Sequence, residues 1–203
     1  MAFSDYKHIS QVQQQFQIKY REERFITAQA VEPPRQFIEE FNFNKENLDL
    51  YASEASRAEL IILPVLREVY KPYAAQSVLW IQKPISCDAT LNGTPDYVLA
   101  TRSELGKTVL AMPLLMVAEA KRNDFEQGWG QCLAELVAGQ RLNGDPALPL
   151  YGIVTDGRHW EIGKLLGDTF VQNDQAYDVD DLPALFGALH FVFQAAVKNG
   201  QKQ

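Results

Sequence analysis

Leu114-Leu115-Met116-Val117-Ala118-Glu119-Ala120-Lys121 is a short apolar run that ends on two charges. A run of that length reads as a buried strand rather than a helix. Side chains alternate along a strand, so Glu119 and Lys121 share one face and Ala120 takes the other. Upstream, Gly93-Thr94-Pro95-Asp96-Tyr97-Val98-Leu99 sets Asp96 at the start of a second strand. Asp is common in turns but depleted in strands. Its place beside Tyr97, Val98 and Leu99 therefore favours a function over a turn. Asp96, Glu119 and Lys121 can converge on one point. Two carboxylates with an ammonium suit a hard divalent cation beside a phosphate. The plain alternative for Glu119 and Lys121 is a same-face ion pair, worth little if exposed and in need of further partners if buried.

Working outward, Ser77 to Ser86 reads as a strand, Asn92-Gly93 as a tight hairpin, and Pro95 to Thr101 as the returning partner. After the Leu114–Ala120 strand, Trp129, Cys132, Leu133, Leu136 and Val137 form the apolar stripe of a core-facing helix from Glu126 to Asn143. Tyr151–Thr155 and His159–Leu165 make a hairpin across Asp156-Gly157. Ser53 caps a helix running to about Tyr70, with a kink expected at Pro64. Asp180 caps a last helix whose stripe is Leu182, Leu185, Leu189 and Phe193. Ahead of these, residues 8–20 place Ile9, Val12, Phe16 and Tyr20 on one helical face, and Pro34 opens a helix through Phe41. The order is that of an α/β protein, a mixed central sheet flanked by helices (αβββαβ) with an N-terminal helical extension. Residues 1–50 are the extension and 51–203 the main domain.

Pro95-Asp96 followed by Glu119-Ala120-Lys121 resembles the PD-(D/E)-X-K signature of the restriction-endonuclease-like nucleases. The nearest resemblance is to the N-terminal nuclease domain of type I restriction motor subunits and its small stand-alone relatives. Ser53 to Pro64 resembles that domain's first core helix, Gly128-Trp129-Gly130-Gln131 the helix after the active-site strand, and Gly152 to Trp160 the next hairpin. The resemblance runs from about Ser53 to Lys164. It implies a magnesium- or manganese-dependent deoxyribonuclease in which Asp96, Glu119 and the Ala120 carbonyl hold the metal. An acid of the first helix, Glu54 or Glu59, would assist. Lys121 would position or deprotonate the attacking water, and Gln131 would orient Lys121 or the water. Relatives often carry a Tyr one turn after that Gln, where this chain has Glu135. Read without the resemblance, Glu54 is a first-turn acid favoured by the helix dipole. Gln127, Gln131 and Glu135 likewise read as a solvated i, i+4 stripe.

Composition narrows the field further. The 203 residues are 46% hydrophobic and 22% charged, as in a soluble globular domain. No apolar stretch is long enough to span a membrane, and the first residues lack the features of a signal peptide. Cys87 and Cys132 fit buried thiols in a reducing cytoplasm rather than a disulfide framework or zinc site. No Walker-type loop is present, so a motor is not encoded. His8, His159 and His190 have no triad spacing, and Trp80, Trp129 and Trp160 read as core. The net charge of −7 argues against a broad basic nucleic-acid surface. A local rim could come from Lys107, Lys121, Arg122, Arg141 and Arg158. The partner implied is DNA, with a second copy of the chain or further subunits supplying specificity. The competing class is a non-catalytic nucleic-acid-binding or assembly module on the same fold.

Overall fold

Residues 114–120 form the expected strand, β6 (Leu114–Ala120), and every one of them is buried. The computed structural model describes residues 2–121 and 124–201. Around β6 stand β1 (Lys19–Glu23), β2 (Ser77–Ile81), β5 (Tyr97–Thr101), β7 (Leu150–Thr155), β8 (His159–Leu166) and β9 (Thr169–Asn173). They run β1-β9-β8-β7-β6-β5-β2 across one sheet, with the short β10 (Tyr177–Asp178) paired to β8. The β6–β7 and β1–β9 pairs are parallel and the others antiparallel, so the sheet is mixed. β7, like β6, is buried throughout. Helices cover both of its faces, which is why these strands read as continuous apolar runs.

One face carries α2 (Arg35–Asn47), α4 (Leu63–Tyr70) and α6 (Leu182–Gly200), with Phe41, Leu66, Trp160 and Phe193 in their shared core. The other carries α1 (Ile9–Phe16) and α5 (Phe125–Asn143), with Phe3, Val12, Trp129 and Phe170. Residues from the first fifty thus enter both cores and, through β1, the sheet itself.

Several local expectations change in the folded chain. Residues 77–86 are not one strand. β2 stops at Ile81, Gln82 turns to φ +48°, and a separate pair forms between β3 (Ile85–Ser86) and β4 (Asn92–Gly93). Asn92-Gly93 therefore lies in a strand rather than making the hairpin turn. The turn is closed instead by Asp88, whose carboxylate accepts from the Thr90 and Leu91 amides at 2.7 and 2.9 Å. The α1 helix ends at Phe16, where Gln17 adopts φ +57°. Tyr20 then sits on an edge strand, because the free edge of β9 offers backbone partners that a further helical turn would forgo. α2 runs on to Asn47, beyond the expected end at Phe41. The last helix is capped by Asp181, not Asp180, which bridges to Arg158 at 2.9 Å.

At Pro64 the helix widens rather than simply kinking. A short α3 (Glu54–Arg57), capped by Ser53, passes through a π-helical stretch at Ala58–Ile62 into α4. Proline cannot donate to the carbonyl four residues back and its ring crowds that carbonyl. Here the amide of Leu63, just before it, reaches back five residues to Ala58. Of the two thiols, Cys132 is buried and Cys87 only half-buried, and both are free.

Gly130 of α5 marks a close approach of another stretch of backbone. A Cβ at Gly130 would stand 2.7 Å from the His8 amide nitrogen and 2.9 Å from the Tyr6 carbonyl oxygen. Backbone cannot swing aside like a side-chain tip, so Gly130→Ala is expected to destabilise the fold by about 1–3 kcal/mol. Urea denaturation measures this, and an unchanged midpoint would show that residues 6–8 do not pack against α5.

Candidate active site

The expected strand geometry brings Asp96, Glu119 and Lys121 together at one end of the sheet. Asp96 is the residue directly before β5, not inside it, although its carbonyl still accepts from the Gln82 amide at 2.8 Å. Its carboxylate accepts from the Ala120 amide at 2.9 Å, and its own amide donates to Glu119 Oε1 at 3.3 Å. Each acid is thus held by a backbone amide of the other's segment, Asp96 by that of Ala120 and Glu119 by that of Asp96. Lys121 follows the end of β6, and its amide extends the parallel ladder to the Thr155 carbonyl at 2.8 Å. Its ammonium stands 3.3 Å from Glu119 Oε2. Gly128 makes room for it, since a Cβ there would lie 3.1 Å from Lys121 Cγ and 2.6 Å from Val154.

Gln131 is buried, so the solvated-stripe reading fails. The reason is that α5 is buried on every side from Gly128 to Gly139, held between the sheet and the N-terminal segment. Gln131 makes no hydrogen bond to Lys121 among the described residues. Its amide nitrogen donates to Glu119 Oε2 at 2.7 Å and to Glu135 Oε1 at 3.0 Å. Glu135 is the residue that reading the sequence for this site passed over. It is fully buried, shares the Gln131 amide with Glu119, and its Oε2 has no hydrogen-bond partner among the described residues. The clue lay in its flanks, Ala134, Leu136, Val137, Ala138 and Gly139, which leave an acid at 135 no wet side.

Electrostatics follow from this crowding. Burial, then the neighbouring Asp96, push Glu119 up to about 7. Burial raises Asp96 too, and Glu54 adds to it, while the Ala120 amide and Lys121 pull the other way. Burial and Glu119 hold Glu135 well above the carboxylate range. Burial alone would lower Lys121, but Glu119, Asp96 and Glu54 outweigh it and keep the ammonium charged above its ordinary value.

Glu54 and Glu59 separate in space. The charge of Glu54 acts on both Asp96 and Lys121, whereas that of Glu59 acts on Tyr97. Neither makes a hydrogen bond to the cluster, and among the described residues no three His, Cys, Asp or Glu side chains are close enough to hold a metal by themselves. The basic rim divides as well. Arg158, on the β7–β8 turn, lies at the site's end of the sheet. Lys107, in the loop after β5, and Arg141, near the end of α5, lie at the opposite end. Arg122 falls outside the described residues.

Fold and cluster together define an α/β protein with a carboxylate–lysine site at the end of two central strands. No protein-family model matches the chain, and no curated protein matches it either. Nine chains of solved structures match. One belongs to the cryo-EM structure of a DrdV–DNA complex, with 18% identity and a TM-score of 0.44. That match covers 78% of this chain and 14% of the other, so the chain spans about one seventh of its length. No helix among the described residues is long and apolar enough to cross a membrane.

Proposed function

We propose that the protein is a metal-dependent nuclease that hydrolyses phosphodiester bonds in DNA. The observation that supports this most is the mutual clasp of Asp96 and Glu119 with the Lys121 ammonium 3.3 Å from Glu119. A structural ion pair needs one acid for one lysine. Here two acids with raised values, Asp96 and Glu119, and the charge of Glu54 share a single ammonium. Such a site is short of positive charge, and its donors are hard oxygens, the set that suits Mg²⁺ or Mn²⁺.

Asp96 and Glu119 would hold the ion, with the Ala120 carbonyl beside them and Glu54 adding negative charge from α3. When bound, the ion supplies Lewis-acid stabilisation of the phosphoryl oxygens and a more acidic water. The chain's own contribution is positioning. Lys121 keeps its proton, so it acts as a donor that orients water and meets the charge developing on phosphate. Gln131 fixes the carboxylate of Glu119 and only through it the position of Lys121. Glu135 closes the back of the site, held with Glu119 on the Gln131 amide.

The test is a cleavage assay on single- and double-stranded DNA with Mg²⁺, Mn²⁺ or EDTA, alongside calorimetric titration of Mn²⁺. Cleavage is expected with either metal and none with EDTA. Wild type that neither binds Mn²⁺ nor cleaves any DNA would give preference to the assembly-module reading.

A further inference from the structure

A pocket of about 300 Å³ opens beside Asp96, between the first helix and the ends of β2 and β5. Small residues of the first helix, Ala55 and Ala58, leave its space free, and Leu63, Ile81 and Tyr97 give it apolar walls. Glu59 and Gln82 stand at its edge. Three further features show that this corner is built for contact. Ile81, at the end of the edge strand β2, is 55% exposed, and its aliphatic side chain lines the opening. Gln82 holds φ +48°, a conformation that a non-glycine residue rarely keeps without a reason. Its amide is bonded to the Asp96 carbonyl at 2.8 Å, so its conformation and the placement of Asp96 are tied together. Finally, neither the Glu59 carboxylate nor the Gln82 amide group has a side-chain partner among the described residues. One is a pure acceptor, and the other can both donate and accept.

We propose that this pocket receives a single unpaired nucleobase of the strand being cut, next to the bond held at Asp96, and that Glu59 and Gln82 read its edge. The inference rests on the nuclease reading of the neighbouring cluster and names its substrate form. The size is at the lower end for small-ligand sites and admits one base rather than a base pair. Apolar walls suit the faces of a base, whereas a phosphate would find two carboxylates, Glu59 and Asp96, and no cation lining the pocket. A base inside a duplex is stacked and paired and cannot enter without being extruded. The site therefore favours single-stranded DNA or frayed ends. A carboxylate at the edge accepts from exocyclic amino groups, so adenine, cytosine and guanine are favoured over thymine, which has none. Glu59 thus acts as a specificity residue of the pocket, while Glu54 serves the cluster.

The experiment uses the full chain with a single-stranded DNA 12-mer, its duplex, and single strands in which an abasic site is moved along the sequence. Cleavage in Mg²⁺ is read for wild type, Ala58→Phe, Ile81→Trp and Glu59→Gln. A second readout is the fluorescence of 2-aminopurine placed at the same positions, which reports a base leaving the stack without requiring cleavage. The single strand should be cut at least about tenfold faster than the duplex, and one abasic position should cost wild type about tenfold, within the usual worth of one base contact. Ala58→Phe fills the pocket, and Ile81→Trp blocks its mouth from an exposed position that does not burden folding. Both should lose the abasic penalty, and Glu59→Gln should narrow the preference against thymine. Equal rates on intact and abasic strands, or a penalty that survives both blocking variants, overturns the proposal. Uniform loss of cleavage in Glu59→Gln on every substrate overturns its base-reading role and assigns it to the metal cluster. If wild type cuts nothing, the nuclease reading fails and the fluorescence decides. A 2-aminopurine change abolished by Ile81→Trp keeps the pocket as a base-binding site, and no change removes it.

Discussion

Lys121→Ala is expected to lose DNA cleavage by on the order of 10³-fold while Mn²⁺ binding persists. The lysine is no ligand for a hard cation, yet it stands 3.3 Å from Glu119 and at the point where water and phosphate would meet. Asp96→Ala should lose both cleavage and metal affinity, because it removes an oxygen donor and the clasp on the Ala120 amide. Gln131→Ala should lie between them, at a loss of roughly 10–100-fold. It touches Glu119 and Glu135 rather than any reacting atom. Single-turnover rates and Mn²⁺ titration of the three variants separate the roles. Robust cleavage by Lys121→Ala would mean that the active site has been misplaced.

The metal-free protein is expected to melt at a lower temperature as pH rises, by roughly 5–10 °C between pH 5.5 and 8.5. The direction follows from the acids. Asp96, Glu119 and Glu135 all bind protons more tightly folded than unfolded, chiefly because burial disfavours their charge. Over the interval between the two states' values the folded chain carries more protons, so stability falls as pH climbs. For Glu119 that interval runs from about 4.5 to about 7. The penalty is absent below it and complete above it. Lys121 is raised as well, but its ordinary value of 10.5 already lies above this window, so it does not contribute there. Mg²⁺ should return most of the loss at pH 8.5, since charge that repels itself is then paired. Glu135→Gln should flatten the profile without unfolding the protein. Its amide keeps an acceptor for Gln131, can donate toward Glu119, and does not titrate. Scanning calorimetry at several pH values measures both effects. A melting temperature that rises with pH, or a Glu135→Gln variant as steep as wild type, would show that the acids are not buried together.

Much of the sheet was legible before folding because its signals are local. The run Leu114–Ala120 reads as a buried strand from its length and flanks, and Asp156-Gly157 between two apolar segments reads as a hairpin turn. The second case is met with Gly157 at φ +88° and the Asp156 carboxylate accepting from the Arg158 and His159 amides. Where local signals competed, the outcome needed a partner. Asn92-Gly93 carries a strong turn signal, yet Asp88 closes the turn first and leaves the pair to β4. Tyr20 continues a helical pattern, yet β9 presents an edge that draws residues 19–23 into the sheet.

The same division runs through the site. By itself the sequence determined that Asp96, Glu119 and Lys121 belong at strand ends and that Glu119 and Lys121 share a face, because alternation in a strand is a property of the backbone alone. Only the tertiary structure decided that Asp96 and Glu119 grip each other's segments, that the charge of Glu54 falls on Asp96 and Lys121 while Glu59 lines the pocket beside Asp96, and that Glu135 joins the two acids through Gln131. Those facts depend on which strands pair, on the widened turn ahead of Pro64, and on an α5 buried on all sides. Pairing and burial are made by residues far apart in the chain, whose energies no short stretch of sequence contains.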